Sequence, residues 1–426
     1  MPEPDSDLAS TPTGLLLTGG GARAAYQVGV LEALADLRRA SGVADDPNPF
    51  PIICGTSAGA LNAAALACGA DRFDATVRDI VKVWRDIHAD QVYRSDFFSM
   101  LRSGAGLLGV LLMGWLVARW RHKTPRSLLN NAPLEDLLRR IVPLERLPDL
   151  IRDGHVQALA VTASSYTSGE HFTFFEGDER LAPWVRTQRR AVRDRISYTH
   201  LLASSAIPFM FPAAPLPIEG HVEYFGDGSM RQSAPVAPAI HLGARRILVV
   251  GAGRMHEPRR GLPTQAEPQY PSLAQIAGHT LSNIFLDALA VDIERVRRIN
   301  KTISLVPEHA RAASALQPID LLVIAPSQRL DAIAARHVGD LPPAVRTMLG
   351  GVGVSSDQKD IKGAALASYL LFEPSYTHEL MRLGYADAQN QAHEVCRFFG
   401  WPQDHLPAPT ASHLPTGIER RRDPFR

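Results

Sequence analysis

The chain has 426 residues, 45% hydrophobic and 21% charged, the usage of a globular protein long enough to bury one large core or two smaller ones. A formal charge of +1 excludes a dedicated nucleic-acid binder, which needs a strong positive field. Cys54, Cys68 and Cys396 are scattered and odd in number, which excludes a disulfide framework and makes a reducing compartment the default.

Residues 1–10 are acidic and proline-containing with no apolar run, so they predict a disordered tail and no signal peptide. Residues 13–17 (TGLLL) predict a short buried strand that runs into Thr18-Gly19-Gly20-Gly21. Residues 22–39 then carry helical spacing, with Val28, Leu31, Leu34, Ala35 and Leu37 apolar. A second strand at 51–54 (PIIC) stops at Gly55-Thr56-Ser57-Ala58-Gly59 and is followed by an Ala/Leu helix to Cys68. Strand, glycine turn and helix, twice over, is the rhythm of a parallel α/β sheet.

Residues 71–90 and 132–142 predict helices, and 157–164 with 171–175 paired strands about a turn at Gly169. A helix at 197–204, a strand at 221–225, a helix at 235–242 and an inner strand at 246–250 (RILVV) follow. Residues 254–271 are rich in Pro, Arg and Gly and read as a loop. Beyond them come a long helix at 273–300, a strand at 320–325, a helix over 360–399 broken near Pro374, and a mobile tail over 402–426.

Two stretches have more than one reading. Residues 103–118 carry no charge and are flanked by Arg102, Arg119, Arg121 and Lys123. A spanning helix needs about 20 apolar residues, and this run is short and glycine-broken. It is either a buried core helix or, within an insert over 99–123, an apolar flap on a bilayer face with Trp115 and Trp120 at headgroup level. Arg180, Arg186, Arg189, Arg190, Arg193 and Arg195 form either a solvated face or a contact for an anionic surface.

The chemistry concentrates in the glycine turns. A strand that feeds straight into a helix must turn sharply, and Gly55 and Gly59 remove the Cβ clashes such a turn creates around Ser57. That holds a serine hydroxyl at the positive end of a helix, where developing negative charge is favoured. A tight turn with a capping serine has the same five residues, so the flanking strand and helix decide for the nucleophile. In Gly19-Gly20-Gly21-Ala22-Arg23, consecutive glycines leave backbone N–H groups free to converge on an oxyanion, where losing one donor typically costs about 3–4 kcal/mol. Arg23 adds a cation there or holds a lipid phosphate. Gly19, Gly21 and Ala24 also fit a dinucleotide-binding loop, but the acids at a suitable distance, Asp45 and Asp46, precede the second strand instead of closing it.

The serine needs a base. His378, His393, His405 and His413 are available, yet none sits in a glycine-rich strand end. Tyr224-Phe225-Gly226-Asp227-Gly228 sets one carboxylate between two glycines after an apolar strand, although a plain Asp-Gly turn has the same pattern.

Four ordered blocks resemble the patatin-like phospholipases: Gly19 to Arg23, Gly55 to Gly59, residues 203–212 (ASSAIPFMFP) and Asp227-Gly228. The resemblance covers about residues 13–251. It implies a three-layer α/β/α fold over 11–253 with a mostly parallel central sheet; the helical spacing beyond it predicts a mainly helical region over 254–426 that packs on that core or covers the site. The resemblance also implies a Ser57–Asp227 dyad with no histidine, an oxyanion loop of Gly19, Gly20, Gly21 and Arg23, and a site walled by Pro208 and Phe211. Ala24 and Ser229 stand where the family often has glycine or another small residue. The expected substrate is a lipid acyl ester, with no cofactor, metal or nucleic acid, in a cytoplasmic protein with peripheral membrane contact through 103–120. A carboxylate taken out of water has a raised pKa and accepts a proton more readily, so a dyad without histidine is chemically sound. Two rivals remain: a histidine-dependent esterase of the α/β-hydrolase kind, and a non-catalytic lipid-surface module.

Overall fold

Parallel strands need apolar cover on both faces, and the alternation of the central strands supplies it. In β1 (Thr13–Leu17), β2 (Ile52–Thr56), β3 (Ala158–Ser165) and β9 (Arg246–Val250), the side chains of Leu15, Leu17, Ile53, Leu159, Val161, Leu248 and Val250 join one core. Leu16, Ile52, Cys54, Ala158, Ala160, Ile247 and Val249 join the other. Helices α1 (Ala25–Ala40), α2 (Ala58–Ala67), α3 (Phe73–Arg85) and α4 (Tyr198–Ser204) contribute to the first core. Helices α5 (Ala237–His241) and α6 (Ala288–Ser304) close the second. The result is a three-layer α/β/α arrangement.

The computed structural model describes residues 11–44, 48–94, 127–253, 273–283, 288–311, 316–351, 353–354, 361–404 and 406. The apolar insert at 99–123, the loop at 254–271, Asp45, Asp46, His405, His413, the N-terminal tail and nearly all of the C-terminal tail lie outside the described residues.

The other strands are β4 (His171–Gly177), β5 (Val185–Arg186), β6 (Arg189–Arg193), β7 (Ala214–Ile218), β8 (His221–Asp227) and β10 (Asp320–Ile324). Among the described residues the sheet has ten strands in the order β10-β9-β1-β2-β3-β4-β6-β5, with β8 on β3 and β7 on β8. From β10 to β3 the neighbours run parallel, and β4 turns antiparallel onto β3.

The C-terminal region enters this core and does more than cover it. β10 extends the sheet beside β9. Helix α7 (Ile361–Ala367) leads to α8 (Pro374–Asn390), and Tyr376, Leu380 and Met381 of α8 share a core with α1. The two helices cross in near backbone contact: a Cβ at Gly29 would stand 1.9 Å from the Met381 carbonyl oxygen, and one at Gly384 2.0 Å from that of Tyr26.

Several elements differ from expectation. The helix expected over 71–90 breaks after Arg85, because the His88 side chain caps a new turn at Ala89–Val92 with Gln91. Residues 273–300 divide into Leu273–Ser282 and α6, and 360–399 into α7, α8 and Ala392–Phe399. β6, sequence RRAVR, lies inside the arginine-rich stretch: Ala191 is buried while Arg193 donates to the Gly177 and Asp178 carbonyls. β7 contains Pro215 and Pro217, tolerated because it is paired on one side only. It joins β8 through Glu219-Gly220, whose φ values of 48° and 88° suit a two-residue hairpin turn. Cys54, Cys68 and Cys396 are free and buried, and burial pushes the Cys54 thiol up to about 12. Among the described residues no helix is long and apolar enough to cross a membrane.

Candidate active site

Ser57 stands between the end of β2 and the start of α2 with φ 55° and ψ −132°, a conformation L-residues seldom adopt. Strain of this kind costs about 1–3 kcal/mol and persists only where its surroundings enforce it. Here they do. The Ser57 N–H donates to the Ser204 hydroxyl at 2.8 Å, and the Ala60 N–H to the Ser57 carbonyl at 2.8 Å. A Cβ at Gly55 would lie 2.5 Å from the Ala60 Cα, and one at Gly59 2.4 Å from the carbonyl oxygens of Leu17 and Thr18. Ser204 is fully buried in α4, inside the block 203–212. Sequence reasoning treated that block as a wall and missed the serine at its head, the one signal that could have identified it.

Asp227 ends β8 and is fully buried. β3 brings it to Ser57: Ala163 pairs with Asp227, and the adjacent Thr162 with Thr56. Beneath the pair, Thr56 and Thr162 share a 2.7 Å hydroxyl contact, and the Gln232 amide donates to Thr56 Oγ1 at 2.9 Å. Asp227 is anchored by its N–H on the Ala206 carbonyl at 3.0 Å. Its Oδ1 accepts the Ser229 N–H at 2.9 Å, and its Oδ2 is buried without a hydrogen bond. Burial pushes the carboxyl up to about 6, while the Ser57 hydroxyl and then the Ser229 N–H pull it down. The carboxyl is therefore largely ionised at neutral pH and within the influence of the serine hydroxyl.

The glycine loop follows β1. Gly21 takes φ 55°, and a Cβ there would lie 2.3 Å from the Tyr369 carbonyl oxygen. The Ala22 N–H donates to that oxygen at 3.1 Å and the Arg23 N–H to the Gly20 carbonyl at 3.1 Å. The N–H groups of Gly19, Gly20 and Gly21 meet no acceptor among the described residues.

Arg23 was expected to add a cation beside the oxyanion or to hold a lipid phosphate. Its side chain is buried and turned to the C-terminal region, with Nε on Ser368 Oγ at 2.7 Å, Nη2 on the Ala365 carbonyl at 3.4 Å and the guanidinium 4.2 Å from the Tyr369 ring centroid.

A cavity of about 520 Å³ is lined by Gly21 and Ser57 and by Leu61, Ile80, Leu134, Leu138, Phe211 and Phe372. Phe211 thus lines it, whereas Pro208 is half-buried and lies off its surface. Among the described residues no histidine lines it. Of the late histidines that are described, His378 contacts the Arg85 carbonyl and His393 the Gln403 side chain. Ser197, His200 and Asp194 do stand together, but as the cap of α4, with Ser197 Oγ 2.9 Å from the His200 ring. Among the described residues no cluster of His, Cys, Asp and Glu could hold a metal ion.

The family model for patatin-like phospholipases matches residues 15–240, more than half of the chain. The chain belongs to this family, hydrolases of carboxylic esters. The matched span holds the glycine loop, the Ser57 turn and Asp227, and stops short of β9, β10 and the Arg23 partners. No functionally curated protein matches by sequence. Among solved structures the chain is similar to VipD from Legionella pneumophila, at 14% identity and TM-score 0.32 over 87% of this chain and 67% of that one. It is also similar to human GIVD cytosolic phospholipase A2, at 14% identity and TM-score 0.43 over 95% of this chain. It spans 64% of that human enzyme's length. A second structure of the human enzyme, holding methyl γ-linolenyl fluorophosphonate, gives TM-score 0.41 at 14% identity, over 95% of this chain and 61% of that one. Likeness at this distance says nothing about the chemistry of the site.

Proposed function

We propose that this patatin-like protein hydrolyses lipid acyl esters by way of an acyl-enzyme on Ser57, with Asp227 as the base. The observation that carries the reading is the fully buried Asp227 carboxyl, which the Ser57 hydroxyl acts on, together with an apolar cavity that Ser57 lines. The acyl chain occupies the cavity and sets the ester carbonyl at Ser57. Asp227 takes the hydroxyl proton as Ser57 Oγ bonds to the carbonyl carbon, and the proton passes to the leaving alcohol as the tetrahedral species collapses. Water then attacks the acyl carbon as it gives a proton to Asp227, and that proton returns to Ser57 Oγ as the serine ester bond breaks and the fatty acid leaves. The free N–H groups of Gly19, Gly20 and Gly21 stabilise the oxyanion at each stage. Its substrates are acyl esters of glycerophospholipids or related lipids.

The test is hydrolysis of a medium-chain ester and a phospholipid by Ser57→Ala and Asp227→Asn. Both variants, shown to be folded by circular dichroism, should lose activity by about a thousandfold or more. Full turnover by either would remove the dyad. Covalent capture of Ser57 by a fluorophosphonate probe separates the enzyme from a lipid-binding module.

A further inference from the structure

A chain of buried side-chain hydrogen bonds runs from the wall of the apolar cavity to the start of the glycine loop. Trp84 Nε1 on α3 donates to Asn62 Oδ1 on α2 at 2.8 Å, and Asn62 Nδ2 donates to Gln27 Oε1 on α1 at 3.2 Å. Gln27 Nε2 then donates to the Thr18 carbonyl at 2.7 Å. Trp84 and Asn62 line the cavity, and Gln27 is fully enclosed. The ends set the direction of the chain. An indole N–H can only donate and a carbonyl can only accept, so each amide between them has one orientation that leaves every member bonded. Reversing either amide would set donor against donor or acceptor against acceptor inside the core. A buried network with every member satisfied is stiff.

Thr18 is gripped from its other side as well. Its N–H donates to the Val250 carbonyl at 3.3 Å, and its hydroxyl accepts the Ala252 N–H at 3.0 Å. A Cβ at Gly59 would lie 2.4 Å from the Thr18 carbonyl oxygen, so this carbonyl rests against the first turn of α2, next to Ser57. The peptide that carries the Thr18 carbonyl also carries the Gly19 N–H. A trans peptide is planar, and its C=O and N–H point in opposite directions. A donor fixed on the carbonyl therefore fixes the direction of that N–H, which meets no acceptor among the described residues. Filling the core would not require an amide at position 27. An apolar side chain of similar size needs no partner there, but it would leave the Thr18 carbonyl without this donor.

We infer that Gln27 is a positioning residue for ester hydrolysis: held by Asn62 and Trp84, it pins the Thr18–Gly19 peptide so that the Gly19 N–H stays aimed at the oxyanion. The inference rests on the reading of Ser57 as nucleophile and of the glycine loop as the oxyanion site. It concerns the start of that loop. The other end is tied separately, through the Ala22 N–H on the Tyr369 carbonyl and the Arg23 side chain on Ser368.

The experiment uses Gln27→Met in the full chain, a side chain close in size and unable to donate. Its kcat on a medium-chain p-nitrophenyl ester should fall by about tenfold to a hundredfold, with KM within about twofold of wild type. Packing alone would not move a second readout, the affinity for an alkyl trifluoromethyl ketone of the same chain length. In that adduct Ser57 Oγ bonds to the ketone carbon, the hydroxyl proton passes to Asp227 and the ketone oxygen becomes the anion. Its Ki should rise by the factor by which kcat falls, while inhibition by the product fatty acid stays unchanged. Gln27→Glu can donate to Thr18 only when its carboxyl is protonated. The ratio of its kcat to that of wild type should therefore rise as pH falls from about 8 to about 6. Should Gln27→Met fail to fold by circular dichroism, Trp84→Phe carries the same test. It keeps an aromatic ring in the cavity wall and removes the N–H that sets the chain's direction, for an expected loss of about threefold to tenfold. Wild-type kcat and ketone Ki in Gln27→Met, with Ser57→Ala inactive, overturn the inference and leave the dyad standing. A fall in kcat with an unchanged ketone Ki overturns it too. Absence of ester turnover by wild type removes the Ser57 reading, and this inference with it.

Discussion

The backbone N–H of Ser57 donates to the hydroxyl oxygen of Ser204 at 2.8 Å, so α4 holds the turn that presents the candidate nucleophile. Ser57 has a positive φ, and this bond is one of the contacts that hold it there. Ser204→Ala leaves a buried N–H unpaired and lets the turn relax. We expect kcat on a medium-chain ester to fall by about tenfold to a hundredfold with KM little changed, since about 1–3 kcal/mol of support is lost from a group that acts in the transition state. Ser204→Cys, which keeps a weak acceptor, should lie between the two. Wild-type kcat in the alanine variant would show that the glycines hold the turn alone.

The raised carboxyl of Asp227 makes opposite demands on activity and stability. As a base it must be ionised, so kcat/KM should rise with pH through about 6, and Ser57-dependent hydrolysis should fade below it. For stability the sign reverses. Between the unfolded value of 3.8 and the folded value of about 6, the native state binds the extra proton, so this group's contribution falls as pH rises. Above pH 6 the buried ion costs up to about 3 kcal/mol. Asp227→Asn should therefore unfold at higher denaturant than wild type at pH 7, with the advantage shrinking toward pH 4. An advantage constant with pH would mean the carboxyl is not raised.

Much of the site was legible because its constraints are local. A positive φ at Ser57 and glycines pressed on backbone at 55 and 59 follow from a strand meeting a helix within three residues, and that crowding is written in one short segment. Asp227 was legible for a similar reason, since Gly228 has Thr162 against it: a Cβ there would lie 2.3 Å from the Thr162 carbonyl oxygen. What escaped is tertiary. Ser204, Ser368 and Tyr369 owe their places to elements far away in the chain, and nothing near them in sequence signals a partner. Arg23 was read as a cation beside a glycine loop that suits an oxyanion, and the partners its side chain holds, more than 340 residues on, could not be read from that segment. β6 was hidden by charge, because its arginines extend along the sheet surface while Ala191 provides the burial.

The segment that carries Ser368 and Tyr369 lies outside the span of the family model, yet it clamps the glycine loop through the Ala22 N–H and the Arg23 side chain. That makes Arg23 a positioning residue. Arg23→Gln should lower kcat by about tenfold to a hundredfold, because a displaced loop misdirects oxyanion donors, each worth about 3–4 kcal/mol. KM should move little. Ser368→Ala, which leaves the contact with the Tyr369 ring, should lose less than Arg23→Gln. A rise in KM with unchanged kcat would instead assign Arg23 to substrate binding.

Close crossing of α1 and α8 joins the C-terminal region to the catalytic layer. Because a Cβ at Gly29 would stand 1.9 Å from the Met381 carbonyl oxygen, Gly29→Ala must push the helices apart. Overpacking of this kind costs about 1–3 kcal/mol. The variant should show a lower urea midpoint, and limited proteolysis should release the region after Gly253 more readily than in wild type. An unchanged midpoint would indicate that α8 contributes little to holding the domain.

Chain-length selectivity should reside in the apolar cavity. Ala65 and Leu61 line it on α2, the helix that begins beside Ser57, so bulk added at Ala65 narrows the channel without touching the reacting groups. Each methylene taken out of water contributes about 0.8 kcal/mol, so a long chain loses several such contributions when the cavity is plugged and a butyryl ester loses few. Ala65→Phe should leave kcat/KM for butyryl esters within about threefold of wild type and lower it for decanoyl esters by about tenfold or more, read as a series of p-nitrophenyl esters. An equal loss at every chain length would mean that the acyl group lies elsewhere and that this cavity is not its channel.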